Sequence, residues 1–156
     1  MSGVGGNDGG GADQASGARP SWDALQEGVG PEPLVIGPIT RTDFVRYQGA
    51  SGDMNPVHHD EPFARAAGFE SPLGVGMFQA GVLAAWAAGW LGPDNVRRTK
   101  VRWKEPVWAG DTLTFRAAVA RTWVEPDGER RVEVQLSCTR QTGGTAVEGT
   151  AVFVVP

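Results

Sequence analysis

Met77-Phe78-Gln79-Ala80-Gly81-Val82-Leu83-Ala84-Ala85-Trp86-Ala87-Ala88-Gly89-Trp90 decides the fold of this chain. Only Gln79 is polar in the ordinary sense, so a helix here is apolar on every face and must be wrapped by the rest of the chain. The apolar run is well short of the roughly 20 residues a membrane-spanning helix needs, which makes it a buried helix. The wrapping follows it in sequence. Residues 96–108, 111–124, 130–142 and 145–155 read as four strands, separated by Ala109-Gly110, Pro126-Asp127-Gly128 and Gly143-Gly144 turns. Leu113, Phe115, Ala117 and Val119 share one parity, as do Val132, Val134, Leu136 and Cys138, with mainly polar residues between them. One apolar helix and an antiparallel meander imply an α+β layer structure, with the helix against the concave face of a curved sheet.

On the other side of the helix the chain is more broken. Residues 1–20 hold seven of the 23 glycines and no aromatic residue, which is too little apolar mass to offset the entropy of ordering, so they are expected to form a disordered tail. The structured domain is then 21–156. Trp22-Asp23-Ala24-Leu25 is a short amphipathic stretch, and Leu34-Val35-Ile36 suggests a first strand. Thr40 is placed to cap a helix over 41–50, with Asp43 three positions on to complement the exposed amides. Pro56 fixes its own φ and pushes Asn55 out of the helical region, so 52–59 is an ordered loop. Asp60 caps a second helix over 61–67, which Gly68 stops, and Pro72-Leu73-Gly74-Val75-Gly76 reads as a tight, glycine-bearing turn.

Composition narrows the function classes. The 156 residues make one ordinary domain with enough apolar mass for a core. Fourteen Lys and Arg against eighteen Asp and Glu give a net charge of −4, which argues against nucleic acid as a partner. Cys138 has no second cysteine to pair with, and with only His58 and His59 as imidazoles it cannot build a Cys-rich zinc site; no metal is expected. No cationic segment precedes an apolar one at the N-terminus, and together with the single cysteine this leads to the expectation of a cytoplasmic location.

The densest cluster of ionisable and turn-forming residues is Ser51-Gly52-Asp53-Met54-Asn55-Pro56-Val57-His58-His59-Asp60. A carboxylate and an imidazole five positions apart across a proline-stiffened loop can converge on one water, deprotonate it and return the proton elsewhere. The same residues also fit a plain capped loop, with Asp53 in an Asx turn, Asp60 as an N-cap and both histidines on the surface. The second element is Gly74-Val75-Gly76 running into the apolar helix. Amides at a helix N-terminus carry partial positive charge, and the Gly76 amide could hold a carbonyl oxygen as it gains negative charge; glycine there also serves tight helix packing. A dinucleotide-binding loop is disfavoured, because no further glycine follows at the required place.

Taken together, Tyr47-Gln48-Gly49-Ala50-Ser51-Gly52-Asp53-Met54-Asn55-Pro56-Val57-His58-His59-Asp60, Phe63-Ala64, Gly68-Phe69 and Pro72-Leu73-Gly74-Val75-Gly76-Met77 resemble the hydratase motif of MaoC-like (R)-specific 2-enoyl-CoA hydratases and dehydratases. Val101-Arg102-Trp103, Pro106-Val107 and Gly110-Asp111-Thr112-Leu113 look like the strand pattern with which that family continues. The resemblance implies a single hot-dog fold, in which a long helix is wrapped by an antiparallel sheet. It also implies Asp53 and His58 as the catalytic pair and the Gly76 amide as the oxyanion donor, with Asn55 bracing the loop. Coenzyme A or phosphopantetheine would enter as part of an acyl thioester substrate, with no separate cofactor.

Two departures stand out. Val75 occupies a position where many relatives have histidine, and Ala84 one where some short-chain hydratases carry serine. Arg98, Lys100, Arg102 and Lys104 alternate along one strand and so share a face, which suits either the phosphates of coenzyme A, an acidic carrier protein or plain solvent. His59, beside His58, is expected on the surface or at an interface. Trp86 and Trp90 read as core or subunit packing, and Cys138 as an inert buried thiol. Related proteins pair two such units, so a homodimer or a heterodimer with another hot-dog subunit is expected. The alternative to an enzyme is a non-catalytic subunit that binds acyl-CoA or stabilises a partner. Thioester hydrolysis, which other hot-dog proteins perform with an acidic residue on the central helix, is disfavoured by that resemblance, since 77–90 holds no Asp or Glu.

Overall fold

The alternation in the C-terminal half becomes a five-stranded sheet. The structure, a computed structural model, describes residues 19–156; of the tail expected over 1–20, all but the last two residues lie outside the described residues. The strands are β1 (Leu34–Ile36), β2 (Val96–Trp103), β3 (Leu113–Val124), β4 (Arg130–Arg140) and β5 (Thr145–Val154). They are antiparallel in the order β1-β3-β4-β5-β2. β3, β4 and β5 are consecutive hairpin neighbours, with Phe115 opposite Cys138 and Val134 opposite Ala151. Every residue of the two parity sets in β3 and β4 is buried, because period-2 alternation sends them all to one face.

Across that face lies α3 (Gly76–Leu91), which touches β2, β3, β4 and β5. Leu83, Ala87 and Leu91 enter the core with Phe115, Leu136 and Phe153. The wrap is incomplete, contrary to what the uniform apolarity of the helix suggests. Met77, Gly81, Ala85 and Gly89, one per turn, remain exposed along one side of α3. Beside them β2 forms one edge of the sheet, with all its residues exposed except the half-buried Val101.

The other helices follow their caps. In α1 (Arg41–Ser51), the Thr40 hydroxyl accepts from the Asp43 N–H while the Asp43 carboxylate accepts from the Thr40 N–H at 2.8 Å. This closes a capping box and holds the Asp43 carboxyl below its ordinary pKa, mainly through hydrogen bonds from Thr40. Gly52 ends α1 at φ 75°, a conformation L side chains rarely adopt. Asp60 caps α2 (Glu61–Ala66) through the Phe63 N–H at 2.8 Å.

Two expectations need correction. The strand expected over 96–108 ends at Trp103, ahead of Pro106, which has no N–H to offer a ladder. Residues 72–76 are not a tight turn but an extended link. Leu73 pairs with Trp108 as an isolated bridge, and the Gly74 N–H donates to Val107 O at 2.7 Å. A Cβ at Gly74 would come within 3.1 Å of the Phe44 ring and the Gln79 amide, closer than side chains usually pack, so either neighbour would have to shift.

Candidate active site

The loop after α1 is held by its own polar groups. Asn55 Oδ1 accepts from the Val57 N–H at 3.1 Å, which starts a single 3-10 turn over Pro56–His58. Asp53 Oδ1 accepts from the Asn55 N–H at 3.2 Å, the Asx turn anticipated for this residue. The buried Gln48 of α1 reaches under the loop, donating to Asp53 O at 2.8 Å and Asn55 O at 3.2 Å.

These bonds bring the carboxylate and the imidazole together. His58 Nε2 lies 3.8 Å from Asp53 Oδ2; the His58 side chain is 10% exposed and that of Asp53 44%. At that distance the two atoms flank a shared point without bonding each other. His58 Nδ1 sits 2.8 Å from Leu73 O. A carbonyl only accepts, so the Nδ1 carries the proton, and in the neutral ring the Nε2 lone pair faces Asp53. Leu73, in the extended link that leads into α3, therefore sets the tautomer of His58. Asp53 divides its work, one oxygen bracing the loop and the other left to the imidazole.

His58 also lines a cavity of about 310 Å3, between the 72–76 link, the start of α3 and residues 103–107. Phe69, Leu73, Val107 and Ala146 make much of its wall apolar, and Gly76 borders it. Gly76 is the first residue of α3, and among the described residues its N–H takes part in no hydrogen bond. An unpaired amide at the positive end of a 16-residue helix is a ready anion donor. The close packing also anticipated for this glycine is present. A Cβ on it would fall 2.8 Å from Trp103 Nε1, which donates to Gly76 O.

Residues 26–142 match the family described as MaoC like domain, three quarters of the chain. The chain belongs to the MaoC-like dehydratase family. Within that family it is 32% identical over 120 residues to a Rhodospirillum rubrum protein named (R)-specific enoyl-CoA hydratase, covering 76% of this chain and 81% of the relative. The solved structure of the R-hydratase PhaJ1 from Pseudomonas aeruginosa superposes with a TM-score of 0.72 at 27% identity, over 87% of this chain and 85% of that one. A ChsH1-ChsH2 complex from Mycobacterium tuberculosis shares the fold, with a TM-score of 0.71 at 23% identity over 84% and 98% of the chains. The fold is thus the hot-dog: α3 is its long helix and β1 to β5 are its antiparallel sheet.

The remaining residues singled out from the sequence separate in this MaoC-like domain. Arg98, Lys100 and Arg102 lie on the outer face of β2, opposite in parity to Val101, which packs on the core, and to Trp103, which faces α3. Arg98 is 3.8 Å from Glu133 and Lys104 is 3.4 Å from Glu148. Of the four, Lys104 alone borders the cavity that holds His58. His59 is exposed and donates from Nδ1 to Gln48 Oε1 at 3.1 Å, pointing away from its neighbour's site. Trp86 and Trp90 pack against the core half-buried, and burial pushes the Cys138 thiol up to about 12. Sequence reasoning gave no role to Gln48, Gln79 or Trp103. Gln79 had a signal, as the one polar residue of an apolar helix; Trp103 had one too, its parity with Val101.

No helix among the described residues is long and apolar enough to cross a membrane.

Proposed function

We propose that this chain adds water across the C2–C3 double bond of trans-2-enoyl thioesters to give (R)-3-hydroxyacyl thioesters, and runs the reverse dehydration. The observation that carries the reading is one arrangement: Asp53 Oδ2 facing the His58 Nε2 lone pair, with His58 and Gly76 bordering the same cavity. A water between two acceptors can give one hydrogen to each. As its oxygen bonds to C3, one proton passes to the Asp53/His58 pair and the C=C electron pair moves toward the thioester oxygen. The Gly76 N–H and the dipole of α3 stabilise that enolate oxygen, a kind of contact worth about 10² to 10³ in rate. The enolate collapses when C2 takes the proton back from the pair. Water and substrate supply every atom, so the balance closes without a further cofactor.

The acyl carrier is coenzyme A or a protein-bound phosphopantetheine, with Lys104 at the cavity's edge as its phosphate-side cation. The functional unit is a dimer with a second hot-dog subunit, identical or not. The unpaired edge of β2 and the exposed side of α3 beside it are two open surfaces of this fold that a second subunit would cover.

The test is co-purification of the chain with any partner, followed by an assay of crotonyl-CoA and longer enoyl-CoAs by loss of enoyl ultraviolet absorbance. Turnover with (R)-3-hydroxy product is expected. Binding of enoyl-CoA without turnover, in the isolated chain and in its co-purified assembly, would replace the enzyme reading by that of a binding subunit.

A further inference from the structure

Gln79 is the one polar side chain on α3, and it is 2% exposed. A buried amide in a packed core needs partners for both ends. Its nitrogen belongs on the side of Val75 O and Gly76 O, 2.9 Å and 2.8 Å away, because an oxygen there would face two acceptors. These carbonyls are not groups that a helix start leaves wanting. At the N-terminus it is the amides that lack partners, and Val75 O already accepts from the Phe78 N–H at 2.9 Å. The bonds from Gln79 therefore add nothing the helix ladder requires.

What they do is fix two consecutive peptide planes. Val75 O and the Gly76 N–H belong to one trans peptide and point in opposite directions. Holding the oxygen inward against Gln79 aims the N–H the other way, and donating a hydrogen bond to a peptide oxygen polarises the unit and strengthens its N–H as a donor. The next plane is held at Gly76 O, which takes bonds from Gln79 and from Trp103 Nε1 at 2.8 Å. The glycine at 74 leaves the space that the Gln79 amide occupies.

We infer that Gln79 is a positioning residue for the reaction, acting through the Val75–Gly76 peptide to orient and strengthen the Gly76 N–H toward the thioester oxygen. This rests on the hydratase reading above and adds to it a residue that borders the same cavity while its amide nitrogen is turned to the backbone. It also gives the single polar position of the central helix a task within the site.

Two variants test the inference by different routes. Gln79→Met keeps the shape and removes the donor, while Gln79→Asn keeps a donor and loses the reach. Each should lower kcat about tenfold to a hundredfold while KM for crotonyl-CoA stays within about threefold, since misdirecting the donor affects the developing oxyanion more than ground-state binding. Folding is checked by thermal melting, and kcat is taken per folded molecule. A second readout is the ultraviolet band of a bound 2,4-dienoyl-CoA, which shifts to the red as its carbonyl is polarised. That shift should shrink in both variants, an effect that mere loosening of the core does not produce. Folded variants with wild-type kcat, or with an undiminished red shift, overturn the inference and leave the hydratase reading standing. A wild-type assembly that hydrates no enoyl thioester overturns both.

Discussion

Asp53 and Asp111 sit on two loops linked through Trp108 and Leu73, and they are built in opposite ways. Asp111 is buried and fully engaged: Trp108 N–H and Arg140 Nε donate to Oδ2, each at 2.8 Å, and Gln141 Nε2 donates to Oδ1 at 3.0 Å. Asp53 is nearly half exposed, with one backbone bond to Oδ1 and only an imidazole at 3.8 Å from Oδ2. A carboxylate with both oxygens held by protein donors supports structure; one with an oxygen left over can take a reactant. The two are physically joined. Asp111 fixes Trp108, Trp108 bridges Leu73, and Leu73 O receives the Nδ1 proton of His58. The satisfied aspartate is thus the footing of the imidazole that the unsatisfied one faces.

The contrast breaks most sharply under substitution at the pair. Asp53→Asn and His58→Ala should each lower kcat by about 10² to 10⁴ in the enoyl-CoA assay while the melting midpoint stays close to wild type. Asp111→Ala should do the reverse. It removes the acceptor for Arg140 and Trp108 N–H from a buried site, and denaturant titration should show a loss of about 3 kcal/mol. Arg140 keeps a partner in Glu105 at 3.4 Å, which holds the loss to that range. If Asp53→Asn unfolded the protein while Asp111→Ala only slowed it, the roles assigned to the two loops would have to be exchanged.

How much of this was legible beforehand follows from the range of each interaction. The sheet core was readable because period-2 alternation in β3 and β4 is a local property of the chain, and α1 was readable because its capping box spans three residues. The Asp53 and His58 loop was visible as chemistry concentrated within ten positions. What spacing did not show is contact between distant segments: Leu73 O on the His58 ring, 15 positions away, and Trp103 on Gly76, 27 away. The same limit explains the misread link at 72–76. Its proline and glycines have the composition of a turn, while its extended shape comes from pairing with 107–108, a partner the local sequence does not announce. Alternation puts Arg98, Lys100 and Arg102 on one face of β2 and says nothing of their distance to the cavity, while Lys104, expected to share that face, lies past the end of the strand and borders the cavity.

A smaller effect sharpens the comparison from beneath the reactive loop. Gln48→Leu removes both donors' worth of support from Asp53 O and Asn55 O and the acceptor for His59. Water replaces part of this at a half-exposed loop, so the stability loss should be about 1 to 2 kcal/mol by denaturant titration. The loop that aims Asp53 is loosened as well, and kcat should fall by roughly tenfold. A kcat that stayed at the wild-type level would mean that Asn55 and the Asx turn alone hold the carboxylate in place.

The smallest effect is expected next door to one of the largest. His59 shares its residue type and its loop with His58, but it is an exposed residue whose ring bonds Gln48. His59→Ala should cost about 0.5 to 1 kcal/mol of stability, the net worth of one hydrogen bond, with kcat changed by less than about twofold. Because the two imidazoles take different partners, Leu73 O for His58 and Gln48 Oε1 for His59, the pair is an internal control on which imidazole does the chemistry. Equal losses of kcat in His58→Ala and His59→Ala would mean that the loop's shape, and not the Nε2 lone pair facing Asp53, is what turnover depends on.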